Sequence, residues 1–131
     1  MGLQEDMGAR LAASSVASTG STSWKLVYRD FHAEPDQQVV ITESGGFPQE
    51  SLNVGLDYPT FQVRIRGSSD AGAALETKVR AVDTALNFYN ATVDGVRYLD
   101  VLRQGDRLYL GRDESHRPTY SLNYVAWRSS T

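Results

Sequence analysis

Two histidines, sixteen carboxylates and thirteen basic side chains are the ionisable material this 131-residue chain offers for chemistry, and it has no cysteine. Without a thiol, disulfide scaffolds, thiolate zinc sites, iron–sulfur clusters and cysteine nucleophiles are excluded. His32 and His116 stand far apart, so no HExxH or other clustered metal pattern forms. His32 follows a strand-like run and His116 falls in a turn, and both read as solvated rather than catalytic. No GxxxxGK[ST], GxGxxG or GxSxG occurs, so neither a phosphate cradle nor a nucleophile elbow is present. Asp36, Asp57 and the other carboxylates scatter among turns and loops, and nothing points to a paired-carboxylate site. The expected catalytic and metal-ligand sets are therefore empty, and no cofactor is expected.

What remains is arginine. The chain uses 11 Arg against 2 Lys, Lys25 and Lys78, and arginine is the cation favoured at contacts. Gln62, Arg64 and Arg66 alternate with Phe61, Val63 and Ile65, which gives one strand a polar face and an apolar face. Nucleic-acid binding would want basic and aromatic residues interleaved on a sheet, and Arg97-Tyr98, Arg107-Leu108-Tyr109 and Tyr120 to Tyr124 hint at this. Alternating tyrosine is also ordinary strand chemistry, and the net charge of −3 argues against attraction to nucleic acid or anionic lipid. The charge is uneven: residues 1–57 carry three basic and eight acidic groups, residues 58–131 ten and eight. Copies could therefore stack with complementary faces.

The elements that must carry these residues follow from periodicity. Leu3, Met7 and Leu11 step by four, which predicts a short helix over 3–13. The Ser/Thr/Ala-rich run from Ala12 to Ser23 has the composition of a flexible linker. The expected organisation is thus a loosely attached N-terminal helix and linker over 1–23 and a single α+β domain over 24–131. Strands are expected over 24–31, 39–41, 60–66, 96–103, 107–111 and 119–128, with a long Gly/Pro loop from Gly45 to Pro59. Leu75, Val79, Val82, Leu86 and Tyr89 form one stripe on a long helix from about Asp70 to Tyr89. Its partner is the apolar strand face of Phe61, Val63 and Ile65, because each element has one such face to bury. The fold class is α+β: an antiparallel or mixed sheet, one long helix packed on a face, and a short N-terminal helix. Gln4, Glu5 and Asp6 stand where an export signal would be basic, and no apolar stretch approaches a membrane span.

Three features occur in a fixed order: Val39 to Pro48, a strand running into Gly-Gly-Phe-Pro; Tyr58 to Gly67, a Pro-started strand with alternating Gln and Arg; and the long helix after Ser69-Asp70. Together, over about residues 35–90, they resemble the tail terminator proteins of long-tailed bacteriophages, often labelled minor capsid proteins. The resemblance implies a structural virion protein without enzymatic activity. It implies a homo-oligomer, a hexameric ring that caps the tail tube, stops its polymerisation and joins the tail to the head. The implied partners are the tail-tube protein and the head-completion or stopper protein. DNA would pass through the lumen without sequence-specific binding, and no membrane is involved. The implied location is the head–tail junction of the virion, with assembly in the host cytoplasm.

On this reading Gln62, Arg64 and Arg66 are the candidates for a subunit contact or the ring's lumen. Gly45, Gly46, Phe47, Pro48, Leu52 and Leu56 are the candidates for contact by the loop. Two alternatives stand beside it: another neck protein, such as a head–tail connector or tail-completion protein, or a monomeric α+β module that binds a ligand or nucleic acid.

Overall fold

The computed structural model describes residues 2–47, 55–70 and 72–129, with Phe47 described by its backbone alone. Among these, two helices and seven strands follow in the order α1 (Leu3–Ala13), β1 (Lys25–Tyr28), β2 (Gln38–Phe47), β3 (Leu56–Arg66), α2 (Gly72–Leu86), β4 (Ala91–Val93), β5 (Val96–Arg103), β6 (Leu108–Arg112) and β7 (Pro118–Ser129). The class is α+β with a mixed sheet, as expected. The helices are short: α2 spans 15 residues and ends at Leu86 rather than Tyr89. Just beyond it Phe88 turns to φ 64°, which no helix continues.

The strands form one sheet in the order β1-β2-β3-β7-β5-β4, with β6 also on β7. Long β7 organises it. One side of β7 pairs antiparallel with β3, and the other takes β6 near Pro118–Ser121 and β5 near Tyr124–Arg128. Among the named strands only β1 and β2 run parallel, with Leu26 opposite Val39 and Tyr28 opposite Ile41. A parallel connection must return to the strand's starting end and so crosses a face of the sheet. The helices cover one face, called the front; residues 29–36 cross the back.

The front holds the core. Phe61, Val63 and Ile65 of β3 are fully buried beside Leu75, Val79, Val82 and Leu86 of α2. Val39, Ile41, Tyr98, Val101, Leu122, Tyr124 and Ala126 complete this layer, with Phe61 and Tyr124 stacked at 5.2 Å. Val82 has no exposed surface, which makes α2 a helix held by tertiary packing rather than by propensity.

The N-terminal helix departs from the expectation of a loose appendage. Leu3, Met7 and Leu11 are buried in the same core, and Val16 and Ala17 of the expected linker are buried with them. Tyr28 lies against Gly8 so closely that a Cβ there would come within 2.2 Å of the phenol oxygen. The segment is further tied by Lys78, whose Nζ donates to the Val16 carbonyl at 2.7 Å and lies 5.2 Å from the Trp24 ring centre.

The expected long loop is also shorter. β2 runs on to Phe47 and β3 begins at Leu56, so Gly45, Gly46 and Leu56 lie in a β-hairpin arm. Gly46 pairs with Pro59, and the register shifts between Glu43 and Gly46 where Gly45 takes φ 94°. A glycine bulge of this kind lets a strand bend and continue where composition alone reads as a break. Pro48 and Leu52, at the tip of the arm, lie outside the described residues.

Candidate assembly surface

The back of the sheet is where side chains remain available, and its two ends differ. At the end toward Arg66, residues 29–36 form a roof. Arg66 is 3% exposed; its guanidinium donates to the carbonyls of Asp36 at 2.8 Å and of His32 and Pro35 at 2.9 Å each. Burial pulls its pKa down, helped by the nearby Arg117 charge. Gln38, equally buried, accepts from the His32 amide at 2.9 Å and donates to the His32 and Pro35 carbonyls at 2.8 and 2.6 Å. Val27 and Val40 lie buried outside the main core cluster.

Arg66 thus differs from the other two expected residues: it is buried and its donors are consumed inside its own chain. Arg64 is half-buried, donates to the Arg29 carbonyl and stacks 5.1 Å from the Phe31 ring centre, while its Nε is buried without a partner among the described residues. Gln62 is half-buried and bonds Ser121 Oγ at 2.9 Å. Of the three expected residues, Gln62 and Arg64 stay on the back face and Arg66 belongs to its roofed end.

Away from the roof the back face carries four exposed apolar side chains among polar ones. Residues paired across an antiparallel ladder share a face. Leu108, opposite Ser121, is 57% exposed; Leu110, at the bulge beside it, is 49% exposed. Toward the other end of the sheet, Trp127 is 42% exposed and meets Tyr58 edge-on at 5.6 Å. Leu99, at the β5 bulge opposite the Trp127 region, is 40% exposed. Of these, the sequence reading touches only Leu108, within Arg107-Leu108-Tyr109, and as part of a different pattern. The alternation of Trp127 with the buried Tyr124 and Ala126 is visible, but a strand with apolar residues on both faces does not say which face is covered.

Nothing on this surface converges for chemistry. Among the described residues, no group of three or more His, Asp or Glu could hold a metal ion, and no helix is long and apolar enough to cross a membrane. The charged pairs hold elements together: Arg103 with Asp83 at 2.7 Å, Arg128 with Asp57 at 2.9 Å, and Arg107 with Glu76. The buried Asp6 carboxylate accepts from the Tyr98 hydroxyl, and burial pushes that phenol's pKa well up. This bond ties α1 to β5. An open groove of about 590 Å³ runs between α1 and β2, lined by Gln4, Glu5, Arg29, Asp30, Thr42 and Glu43. It is acidic on balance and lacks a histidine or a paired-carboxylate geometry.

A family model described as bacteriophage tail terminator protein matches residues 10–127. No curated protein matches the chain. Among solved structures, it is similar to a chain described as the virion of a native gene transfer agent (GTA) particle, at 16% identity and a TM-score of 0.72. That alignment covers 96% of this chain and 93% of the other. A second solved chain is 14% identical with a TM-score of 0.56, covering 95% of this chain and 96% of its own. At these identities the likeness shows the fold.

Proposed function

The chain belongs to the bacteriophage tail terminator family, and from that premise we propose that it closes into a hexameric ring that caps the tail tube and joins tail to head. The family match over residues 10–127 carries this reading, and it makes the chain a structural protein of a phage tail. The open back face, with Leu99, Leu108, Leu110 and Trp127 exposed, supports it, since apolar surface of this kind marks an interaction site. A closed ring is the ordinary outcome of a head-to-tail contact whose rotation closes.

In this reading the ring stops tube growth by occupying the last tube ring, and it offers its other side to the head-completion protein. DNA passes through the lumen without base-specific contact, and the protein works at the head–tail junction after assembling in the host cytoplasm. Gln62 and Arg64 line a subunit contact or the lumen. The β2–β3 arm, with Gly45, Gly46, Phe47 and Leu56 and with Pro48 and Leu52 at its tip, reaches a neighbouring ring or subunit. The protein performs no catalysis.

Sedimentation velocity and native mass spectrometry, on the free protein and on tail tubes, test the reading. The expected species has about six times the 14.5 kDa chain mass. A chain that stays monomeric at high concentration and also fails to bind tubes would overturn it.

A further inference from the structure

We infer that the outer edge of β6 joins one copy of this chain to the next by pairing with the free edge of the neighbour's β2 arm over Thr42–Gly46. This rests on the ring reading, because a head-to-tail ring needs two different and complementary patches on every subunit.

The first patch is β6. It pairs with β7 along one side, and among the described residues its other side has no strand partner. Leu108, Tyr109 and Leu110 are 57%, 50% and 49% exposed, three consecutive large apolar side chains on an open edge. Soluble proteins normally blunt such an edge with lysine, proline, an inward-pointing charge or a covering segment. Residues 108–110 carry no charge and no proline, and β6 has only the bulge near Gly111. An edge left this open is suited to strand addition.

The second patch is on the opposite margin of the sheet. β1 covers β2 only over Gln38–Ile41, so the outer edge from Thr42 onward has no strand partner among the described residues. Ser44, Gly45 and Gly46 are exposed, and a Cβ placed on Gly45 would meet nothing within 4 Å. Small residues here let another backbone approach, and a large neighbouring side chain such as Tyr109 can cover the glycines.

Charge selects between these edges and fixes the direction. Arg112, at the end of β6, is exposed; it donates to the carbonyls of Ser69 at 2.8 Å and His116 at 2.6 Å, with no carboxylate partner among the described residues. Glu43, on β2, is exposed; it accepts weakly from the Gln4 amide at 3.5 Å and forms no ion pair among the described residues, and Glu5, Asp30 and Arg29 line the same groove. Antiparallel docking that sets Leu108 along Gly46 and the bulged pair Leu110–Gly111 along Ser44 brings Arg112 opposite Glu43. The occupant of the β6 edge is thus a second copy, presenting the small residues Ser44–Gly46 with Glu43 on the same strand.

The test uses charge reversal with melting temperature as a control for folding. Arg112→Glu and Glu43→Arg should each reduce the hexamer fraction about tenfold or more, since like charges then face each other. The double variant should recover it. In addition, Ser44→Cys with Leu110→Cys, in a chain that has no other cysteine, should give an oxidation-dependent covalent ladder up to six chains, while either single cysteine gives at most dimers. Single reversals that assemble like wild type, a folded double variant that stays apart, or a missing ladder in assembled rings would each overturn the joint while leaving the ring reading intact. A wild-type chain that forms no ring, free or on tubes, would overturn both.

Discussion

The two faces of the sheet are built from alternate residues of the same strands, and they have been put to different uses. On the front, Phe61, Val63 and Ile65 meet two helices and lose all contact with solvent. On the back, the roofed end repeats this on a small scale with polar chemistry: Arg66 and Gln38 are buried but satisfied by the carbonyls of residues 29–36. The rest of the back keeps Leu99, Leu108, Leu110 and Trp127 at 40–57% exposure. Burial on the front and at the roofed end stabilises the chain; the uncovered apolar surface gives no such stabilisation to one copy alone. The difference teaches that side-chain chemistry does not separate core from contact. What separates them is which segment of the chain crosses each part of the sheet.

The comparison can be broken most forcefully at the front. Val82→Asp places an unpaired charge in the core and should destabilise the protein by about 4 kcal/mol, read by urea unfolding. A variant that unfolds like wild type would show that α2 is not held on the sheet. A smaller effect is expected at the roofed back: Arg66→Met removes three hydrogen bonds and leaves the Asp36 carbonyl without its donor, the His32 and Pro35 carbonyls keeping Gln38, and should cost about 3 kcal/mol. Arg64→Met, which gives up a single bond from a half-exposed side chain, should cost about 1 kcal/mol. Equal effects at the two positions would erase the distinction between the roofed and open ends.

The smallest effect sharpens the front edge. The Tyr120 hydroxyl donates to Glu76 at 2.8 Å and holds that carboxyl below the usual range, with burial opposing and Arg107 assisting. Because the folded-state pKa is the lower one, this contribution is fully present above the ordinary glutamate pKa. It is lost as pH falls through the depressed folded value. Tyr120→Phe should therefore lower stability slightly at neutral pH and flatten the acid limb of the pH–stability curve. An unchanged acid limb would mean that the bond does not form in solution.

The front was largely legible in the sequence because periodicity encodes it. Phe61, Val63 and Ile65 alternate, and Leu75, Val79, Val82 and Leu86 step by four, three and four. The Leu3-Met7-Leu11 stripe was equally visible, yet where it docks depends on Tyr28 and Gly8 meeting across elements distant in sequence. The Ser-rich run after it reads as a linker, although Val16 and Ala17 anchor it. Arg66 shares its alternation with Gln62 and Arg64; only the crossing of residues 29–36 distinguishes it, and no local pattern announces that crossing. Gly45-Gly46 has the composition of a loop, but on an edge strand the same glycines form a bulge and the arm continues.

The most direct measurement joins stability and assembly in one variant, Leu99→Ser with Trp127→Ser. The protein should fold with a loss of about 2 kcal/mol, since both side chains are already partly in water and give up the Tyr58 edge contact and their buried portions. In the same preparation, sedimentation should show that it no longer assembles, in rings or on tail tubes. A variant that assembles with wild-type efficiency, or one that loses its fold, would contradict the assignment of the open back face to assembly.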